Sequence, residues 1–559
     1  MFPTTSLETT KESSKTSPKL KVRFLIKFSQ QISPPPNDTD PDIKDPPAPD
    51  INDIEISVNG VHKLMTNLDP SKATGPDNIP PFLLKEYADQ WAPVFQILFQ
   101  ASLNQGIVPA DWKKAYITPI FKKGDPLQAN NYRPVSLTSI PCKLLEHIIH
   151  SHFMSHHKQH KILCDNQHGF RKFRSCESQL IAVVDDLARN IDVGNQTDLI
   201  LLDFSKAFDK VNHKSLLKKV RHYGMRNHVY NWLESFLTNR SQQVQIDGSL
   251  SEPADVLSGV PQGTVLGPLL FLLYINDLPK YVSTGTEVRL FADDSALYRT
   301  IKSPQDHIIL QNDLDSLQKW EQEWSMHFHP QKCQLLRVTT SHSPSMYTYN
   351  IHSIDIEPTQ DAKYLGVTLH NKLSWNTHID IIAQKANRTL NFIRRNFKSC
   401  NSNIKNRLYT TYVRPSVEFC SSAWDPQTTL NIDKLERVQK RAARFVTGDY
   451  RRDQSVTEMM RRLGWTPLRE RRARAKAVTV YKATHDMIDI PFKNLPTIQN
   501  GLRNADDYFI PFAHKNVYFN SFYPNTIRLW NDLHDWIKES SSLSDFEGAI
   551  RGHTIICHY

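Results

Sequence analysis

Apolar and polar positions alternate differently in different parts of the chain. From Val58 onward apolar residues recur with the spacing of a folded protein, whereas residues 1 to about 50 show no such period. In DLILLDFS (198–205) an unbroken apolar run closes on an acid, the pattern of a central strand buried on both faces. A helical stretch to about Tyr223 follows and is closed by Gly224, glycine being the usual helix terminator. QQVQID alternates with period two and runs into Asp247-Gly248, which predicts a β-hairpin over 242–249. Leu269–Leu278 reads as a buried helix and VRLFADDSALYR (288–299) as two short strands around an Asp-Asp turn. Asp313–Phe328 has helical spacing, with Leu314, Leu317, Trp320 and Trp324 on one face. Beyond about residue 380 the pattern becomes mainly helical. The expected class is therefore α+β, with a helical C-terminal appendage. No internal repeat of fixed period is present.

Composition adds boundaries. Nine of the chain's 34 prolines fall in the first 50 residues, among many Ser and Thr, so this tail is expected to be disordered. Only 18 of 559 residues are Gly, which excludes collagen-like or linker-like character. The seven Cys are scattered without a C-x-x-C pair, against a disulfide framework or zinc ribbon and in favour of a reducing compartment. The longest apolar run, Val265–Ile275, is broken by Gly267 and Pro268 and is far short of the ~20 residues that span a bilayer. VRFLIKF near the N-terminus is too short and too charged for a secretory signal. The expectation is a soluble protein of the nucleus or cytoplasm, with no membrane partner.

Candidate chemistry starts from carboxylates at strand ends. Asp203 closes LILLD, and Asp293-Asp294 sit in LFADDSALY. An Asp-Asp pair alone is a common turn dipeptide. Three acids converging from rigid strands would repel one another unless cations neutralise them, and hard oxygen ligands suit Mg²⁺. Two such ions form the clamp used for in-line phosphoryl transfer.

The surrounding text sharpens this reading. LLDFSKAFDKVNH (201–213), SGVPQGTVLGPLLFLLYINDLP (258–279) and LFADDSALY (290–298) occur in the order and spacing of the three palm motifs of reverse transcriptases. LDPSKATGPDNIP (68–80), ITPIFKKGDPLQANNYRPVSLTSIPCKLLEHII (117–149), QHGFRKFRSC (167–176), HPQKC (329–333) and KYLGVTL (363–369) resemble motifs of the non-LTR, LINE-type retrotransposon enzymes. YVRPSVEFCSSAWDP and LERVQKRAARFVTG resemble the jockey-like branch. The resemblance runs over about residues 60–450.

What it implies is a right-hand polymerase with fingers, palm and helical thumb, acting as an RNA-directed DNA polymerase on an RNA template, a DNA primer and dNTPs, with two Mg²⁺ ions or Mn²⁺. Asp203, Asp293 and Asp294 fall at the metal-binding catalytic positions, with the Phe204 carbonyl as a further metal contact. Phe208 falls at the aromatic gate against the ribose 2′-hydroxyl. Gln262 and Gly263 fall against the incoming nucleotide. Lys122 and Arg133 match the finger cations on the triphosphate, Lys123 being an equal candidate to Lys122. Lys332 matches a late palm lysine proposed to protonate the leaving pyrophosphate, and Tyr364–Val367 the primer grip. The implied division is a tail (1–50), an N-terminal finger extension (51–103), fingers and palm (104–370), a basic thumb-like region (371–480) and a C-terminal region of unassigned role (481–559). Relatives carry an upstream endonuclease; with about 60 residues before the first finger motif, a polymerase without that domain is expected. The rival readings are a non-catalytic nucleic-acid-binding relic, a group II intron-type reverse transcriptase and an RNA replicase; FADD and Phe208 speak against the last, the jockey-like C-terminal text against the intron type.

Charge locates one further expectation. Lys434–Lys476 holds 14 Lys or Arg against five Asp or Glu, a net of +9 out of the chain's +10. Arg437, Lys440, Arg441 and Arg444 are the expected template–primer contacts, while RERRARAK (469–476) reads as an import signal or a nucleic-acid contact. His147, His150, His152, His156, His157, His160 and His168 cluster without a supporting Cys pair and are expected on a solvated helix and loop rather than around a metal.

Overall fold

The computed structural model describes residues 46–490 and 507–553, with residues 41, 43, 492 and 495. Most of the expected disordered tail, and part of the 481–559 region, lie outside the described residues. The strands are β1 (Lys114–Phe121), β2 (Tyr132–Leu137), β3 (Gln196–Asp203), β4 (Arg240–Ile246), β5 (Ser249–Leu250), β6 (Ala254–Val256), β7 (Thr286–Phe291), β8 (Asp294–Ile301), β9 (Gln334–Val338), β10 (Asn350–Ile351), β11 (Ile354–Asp355), β12 (Pro358–Thr359), β13 (Asp361–Tyr364) and β14 (Val367–His370). The chain divides into two compact units. The first takes residues up to Gln167, Phe204–Tyr281 and Ser316–His329; the second takes His168–Asp203, Val282–Asp315 and Pro330 onward.

The first unit is built around a sheet ordered β2-β1-β4-β5, with β6 also on β4. β1 pairs antiparallel with β2 and parallel with β4. The hairpin expected at Asp247-Gly248 is present, both residues having positive φ (48° and 79°), as a tight primed turn requires. The helix expected after β3 is delayed. A single 3-10 turn (Ala207–Asp209) comes first, and the helix His213–His222 starts only where the Asn212 side chain accepts from Ser215 N–H. Gly224 closes it at φ 90°. Residues at the end of the expected tail are tied down here: Ala48 N–H donates to His222 at 2.9 Å, Ile51 N–H to Gly224 at 2.9 Å, and Asp50 pairs with Arg226.

The buried helix expected over Leu269–Leu278 is Leu266–Tyr274. Its end is set by tertiary bonds that periodicity does not show. Asn276 accepts from Cys164 N–H and donates to the Ile162 carbonyl, both at 2.8 Å, and Asp277 takes the fully buried Lys219 ammonium at 2.6 Å. The Lys219 ammonium also lies 3.6 Å from the Trp324 ring centroid. Burial holds the Lys219 pKa down at about 8 despite Asp277.

In the second unit β3 is central, in the order β12-β9-β3-β8-β7. Both faces of β3 are buried up to its last residue, as the LILLD run predicts. The helix Cys176–Asp192 opens with a capping box at Ser175 and Ser178 and packs its apolar face on this sheet. A single core runs from this helix through the helices Asn376–Asn396, Thr429–Thr447 and Leu468–Thr484 to Ile550. The described part of the 481–559 region is folded into it: Phe546 stacks on Tyr481 at 4.4 Å, and Tyr481 hydroxyl donates to Ser540 at 2.7 Å.

Two expectations fail. The histidines are not all solvated. On the helix Ile140–His160, His156 and His157 lie on the same side as Ile149 and Phe153, and His157 Nδ1 accepts from Leu163 N–H at 2.8 Å. His168, in the second unit, is also buried. The RERRARAK run, read as an import signal or a nucleic-acid contact, is not freely exposed either. Arg472 and Lys476 are buried and both pair with Asp425, while Arg471 pairs with Glu418. No helix among the described residues is long and apolar enough to cross a membrane.

Candidate active site

β7 and β8 form a two-residue hairpin in which Phe291 pairs with Asp294, leaving Ala292 (φ 54°) and Asp293 as the turn. The Asp-Asp pair expected in the turn is thus divided: Asp293 is in the turn and Asp294 is the first residue of a strand. β8 pairs antiparallel with β3, and in that register Asp203 and Asp294 are direct partners. Register partners project to the same face, with Cα atoms roughly 4.5–5.5 Å apart. Both strands are otherwise buried, so the two carboxylates stand at the end of a stiff central ribbon with their heads towards solvent. Asp293 is exposed beside them.

Lys332 comes to this spot from a 3-10 turn, Pro330–Lys332, just before β9. Its ammonium is 3.4 Å from Asp203 Oδ1, both side chains being about half exposed. The hairpin is braced from behind. His168 N–H donates to the Leu290 carbonyl at 2.8 Å, while His168 Nδ1 lies 3.0 Å from Ser178 Oγ. Burial, with Arg174 and Arg289 nearby, pushes the His168 pKa down to about 4. Arg289, on β7, bonds Tyr298 and Asp186, each at 3.1 Å. The Tyr364–Val367 segment is the β13–β14 hairpin, turning at Leu365 (φ 45°) and Gly366 (φ 88°), and Tyr364 hydroxyl accepts from Gln179 at 3.0 Å. Among the described residues there is no group of three or more His, Cys, Asp or Glu that could hold a metal ion.

The remaining expected residues lie in the first unit. Phe208 stacks on Phe271 at 4.3 Å, and its carbonyl accepts from Val260 N–H at 2.8 Å. The Phe204 ring packs on Phe328 at 4.5 Å. Gln262 and Gly263 lie in the loop before the helix Leu266–Tyr274. The Gln262 carbonyl accepts from Ser136 N–H at 2.7 Å, and a Cβ on Gly263 would stand 2.6 Å from the Ser136 carbonyl oxygen, so only glycine fits. Beside this loop is a cavity of about 330 Å³, walled by alternate residues of β1 (Ala115, Ile117, Pro119) and β2 (Tyr132, Pro134, Ser136). Arg133 alternates to the opposite face, paired with Ile120, and Lys122 and Lys123 follow the end of β1. All three are exposed, and none forms an ion pair among the described residues.

Motif reading missed Glu146. This fully buried carboxylate accepts from Val265 N–H (2.8 Å) and Leu266 N–H (2.9 Å), capping a helix that has no side-chain cap of its own. Burial raises its pKa against the pull of these amides. Its partner lies 119 residues along the chain, and no local pattern announces it.

Residues 120–369 match the family described as reverse transcriptase (RNA-dependent DNA polymerase). Those residues are similar to a reverse transcriptase domain. The chain is 28% identical over 407 residues to the probable RNA-directed DNA polymerase from transposon BS, and 28% over 406 residues to that from mobile element jockey, both of Drosophila melanogaster. Each match covers 70% of this chain and 44% of the relative. The X-element polymerase of the same organism is 28% identical over 389 residues. The chain thus spans less than half the length of these relatives. The likeness to jockey-type retrotransposon proteins read from the motifs extends over 70% of this chain, and the segment 120–369 that matches the reverse transcriptase family includes Asp203, Asp293, Asp294 and Lys332 together with Lys122, Arg133, Phe208, Gln262 and Gly263.

Proposed function

We propose that the chain is an RNA-directed DNA polymerase that joins a dNTP to a DNA primer 3′-hydroxyl on an RNA template. The observation that carries this reading is the register pairing of Asp203 with Asp294, with Asp293 in the adjoining turn. In it, the first unit's β1–β2–β4 sheet and loops act as fingers and part of the palm, β3, β7, β8 and β9 as the catalytic floor, and the helices within 371–480 as thumb, with 481–559 left unassigned. The donors are of the kind that suits Mg²⁺ or Mn²⁺, hard carboxylate oxygens on stiff strands, although the three acids do not converge as a group of metal ligands as they stand. Asp203, Asp293, Asp294 and the Phe204 carbonyl would hold the ions, which when bound supply charge neutralisation and a polarised primer hydroxyl.

The chain's own groups do the rest. Phe208, clamped by Phe271 and Val260, excludes a 2′-hydroxyl. Gln262 and Gly263 carry the backbone that lies against the nucleotide. Lys122 or Lys123, with Arg133, holds the triphosphate. Lys332, beside Asp203, can hand a proton to the departing pyrophosphate. Arg437, Lys440, Arg441 and Arg444 follow one another at i, i+3, i+4 and i+7 on one face of Thr429–Thr447, a stripe suited to a nucleic-acid backbone.

The test is primer extension by the purified protein on poly(rA) with an oligo(dT) primer. Metal-dependent incorporation of dTTP is expected, and Phe208→Ala is expected to admit UTP. Tight RNA binding without incorporation would favour the non-catalytic relic instead.

A further inference from the structure

The loop Ser258–Gly263 is joined to the segment Phe208–His213 along its length. Val260 N–H donates to the Phe208 carbonyl and Gly259 N–H to the Val211 carbonyl, each at 2.8 Å. Ser258 Oγ donates to the Asp209 carbonyl at 3.0 Å, and His213 Nε2 lies 2.8 Å from the Gly259 carbonyl. Gly259 is required because a Cβ would stand 2.7 Å from the Asp209 carbonyl oxygen at φ 84°. Each of these contacts ends on a backbone carbonyl. A further contact joins two side chains: Gln262 Nε2 donates to Asp209 Oδ1 at 2.9 Å. Asp209 also lines the cavity walled by β1 and β2. Burial raises its carboxyl pKa against the pull of Gln262 and Lys206.

We propose that Asp209 is a positioning residue for nucleotide selection: it holds the Gln262 side chain and so fixes the loop that meets the incoming nucleotide, without touching the reacting atoms. The inference rests on the polymerase reading. An amide side chain has one donor end and one acceptor end, and Gln262 can point its donor end only where an acceptor is fixed. Asp209 is that acceptor. It is held by the same 3-10 turn that carries Phe208, so the gate and the loop share one anchor. Loss of the acceptor frees the Gln262 amide and loosens nucleotide binding, while the proton and phosphoryl steps keep their groups.

The test combines steady-state kinetics with equilibrium binding of a fluorescent dTTP analogue to a dideoxy-terminated template–primer complex. Asp209→Ala is expected to raise KM for dTTP and the analogue's Kd about tenfold, with kcat within about threefold. Asp209→Asn keeps an acceptor oxygen and is expected to restore both to near wild type. Asp209→Ala and Gln262→Ala are expected to be non-additive, the double variant binding no worse than either single one. Equal losses in Asp209→Ala and Asp209→Asn, or fully additive losses with Gln262→Ala, would overturn the inference. Failure of the polymerase reading is distinguishable: a wild type that binds the analogue in an Asp209-dependent way but incorporates nothing would sink the activity and leave the positioning role standing.

Discussion

Two helices of the second unit are almost equally basic in sequence and opposite in structure. On Thr429–Thr447, Arg437, Lys440, Arg441 and Arg444 fall on the face away from Leu435, Val438, Ala442 and Val446, and none forms an ion pair among the described residues. Their side chains bond only to neutral groups, such as Asn387 from Arg441 and the Arg451 carbonyl from Arg444. On Leu468–Thr484 the bases recur almost every second residue, so they cannot share a face. Arg472 and Lys476, one turn apart, land on the buried side, where Asp425 takes Arg472 Nε at 2.7 Å and the Lys476 ammonium, which also bonds Asn525 at 2.7 Å. The difference teaches that the phase of a basic run relative to the apolar period decides whether its charge faces solvent or becomes internal scaffolding.

The sharpest way to break the comparison is to remove the buried acid. Asp425→Ala leaves two cations in a dry core and is expected to cost about 3–5 kcal/mol, seen as a large drop in the urea midpoint. The stripe responds to the opposite measurement. Replacing Arg437, Lys440, Arg441 and Arg444 together by Gln is expected to leave the midpoint nearly unchanged but to reduce the slope of log affinity for an RNA–DNA duplex against log salt by about three to four.

Acid separates the regions again. His378 packs edge-on against Trp424 at 4.7 Å, next to Asp425, and burial with Lys363 nearby pushes its pKa down to about 4. With a folded value below the unfolded one of about 6.5, the unfolded chain takes up the proton first. The stability due to His378 is therefore complete above pH 6.5 and is lost as pH falls from 6.5 towards 4, by about 2–3 kcal/mol, with His168 adding a similar term. Duplex binding through the Arg and Lys stripe, counted per folded molecule, is expected to hold over the same range. The smallest effect is a single change: Arg437→Gln should move stability by less than about 0.5 kcal/mol.

Short-range chemistry was legible in the chain. An apolar run ending in Asp203 has no polar position to expose, so it could only be a central strand. Asp247-Gly248 could turn a hairpin because both residues tolerate positive φ. What escaped was pairing over distance. Glu146 capping Val265 and Leu266, Asp209 holding Gln262, and Asp425 between Arg472 and Lys476 join residues 47 to 120 positions apart. Each partner looks like an ordinary surface acid in its own stretch. Burial of His156 and His157 escaped for the related reason that their apolar neighbours Ile149 and Phe153 lie earlier in a helix otherwise crowded with polar side chains. In the candidate site, the three acids were readable from their motifs, but the division of the Asp pair was not. A two-residue loop that places Ala292 at positive φ moves Asp294 into β8 and opposite Asp203.

That pairing is the central claim, and incorporation under conditions where nucleic acid is already bound tests it most directly. With template–primer saturating, single-nucleotide addition is to be compared for wild type, Asp203→Asn and Asp294→Asn, with duplex affinity measured alongside. The account predicts metal-dependent addition by the wild type, a loss of at least about a thousandfold in each variant and duplex binding within about threefold of wild type in all three. Addition by Asp294→Asn at the wild-type rate would contradict it.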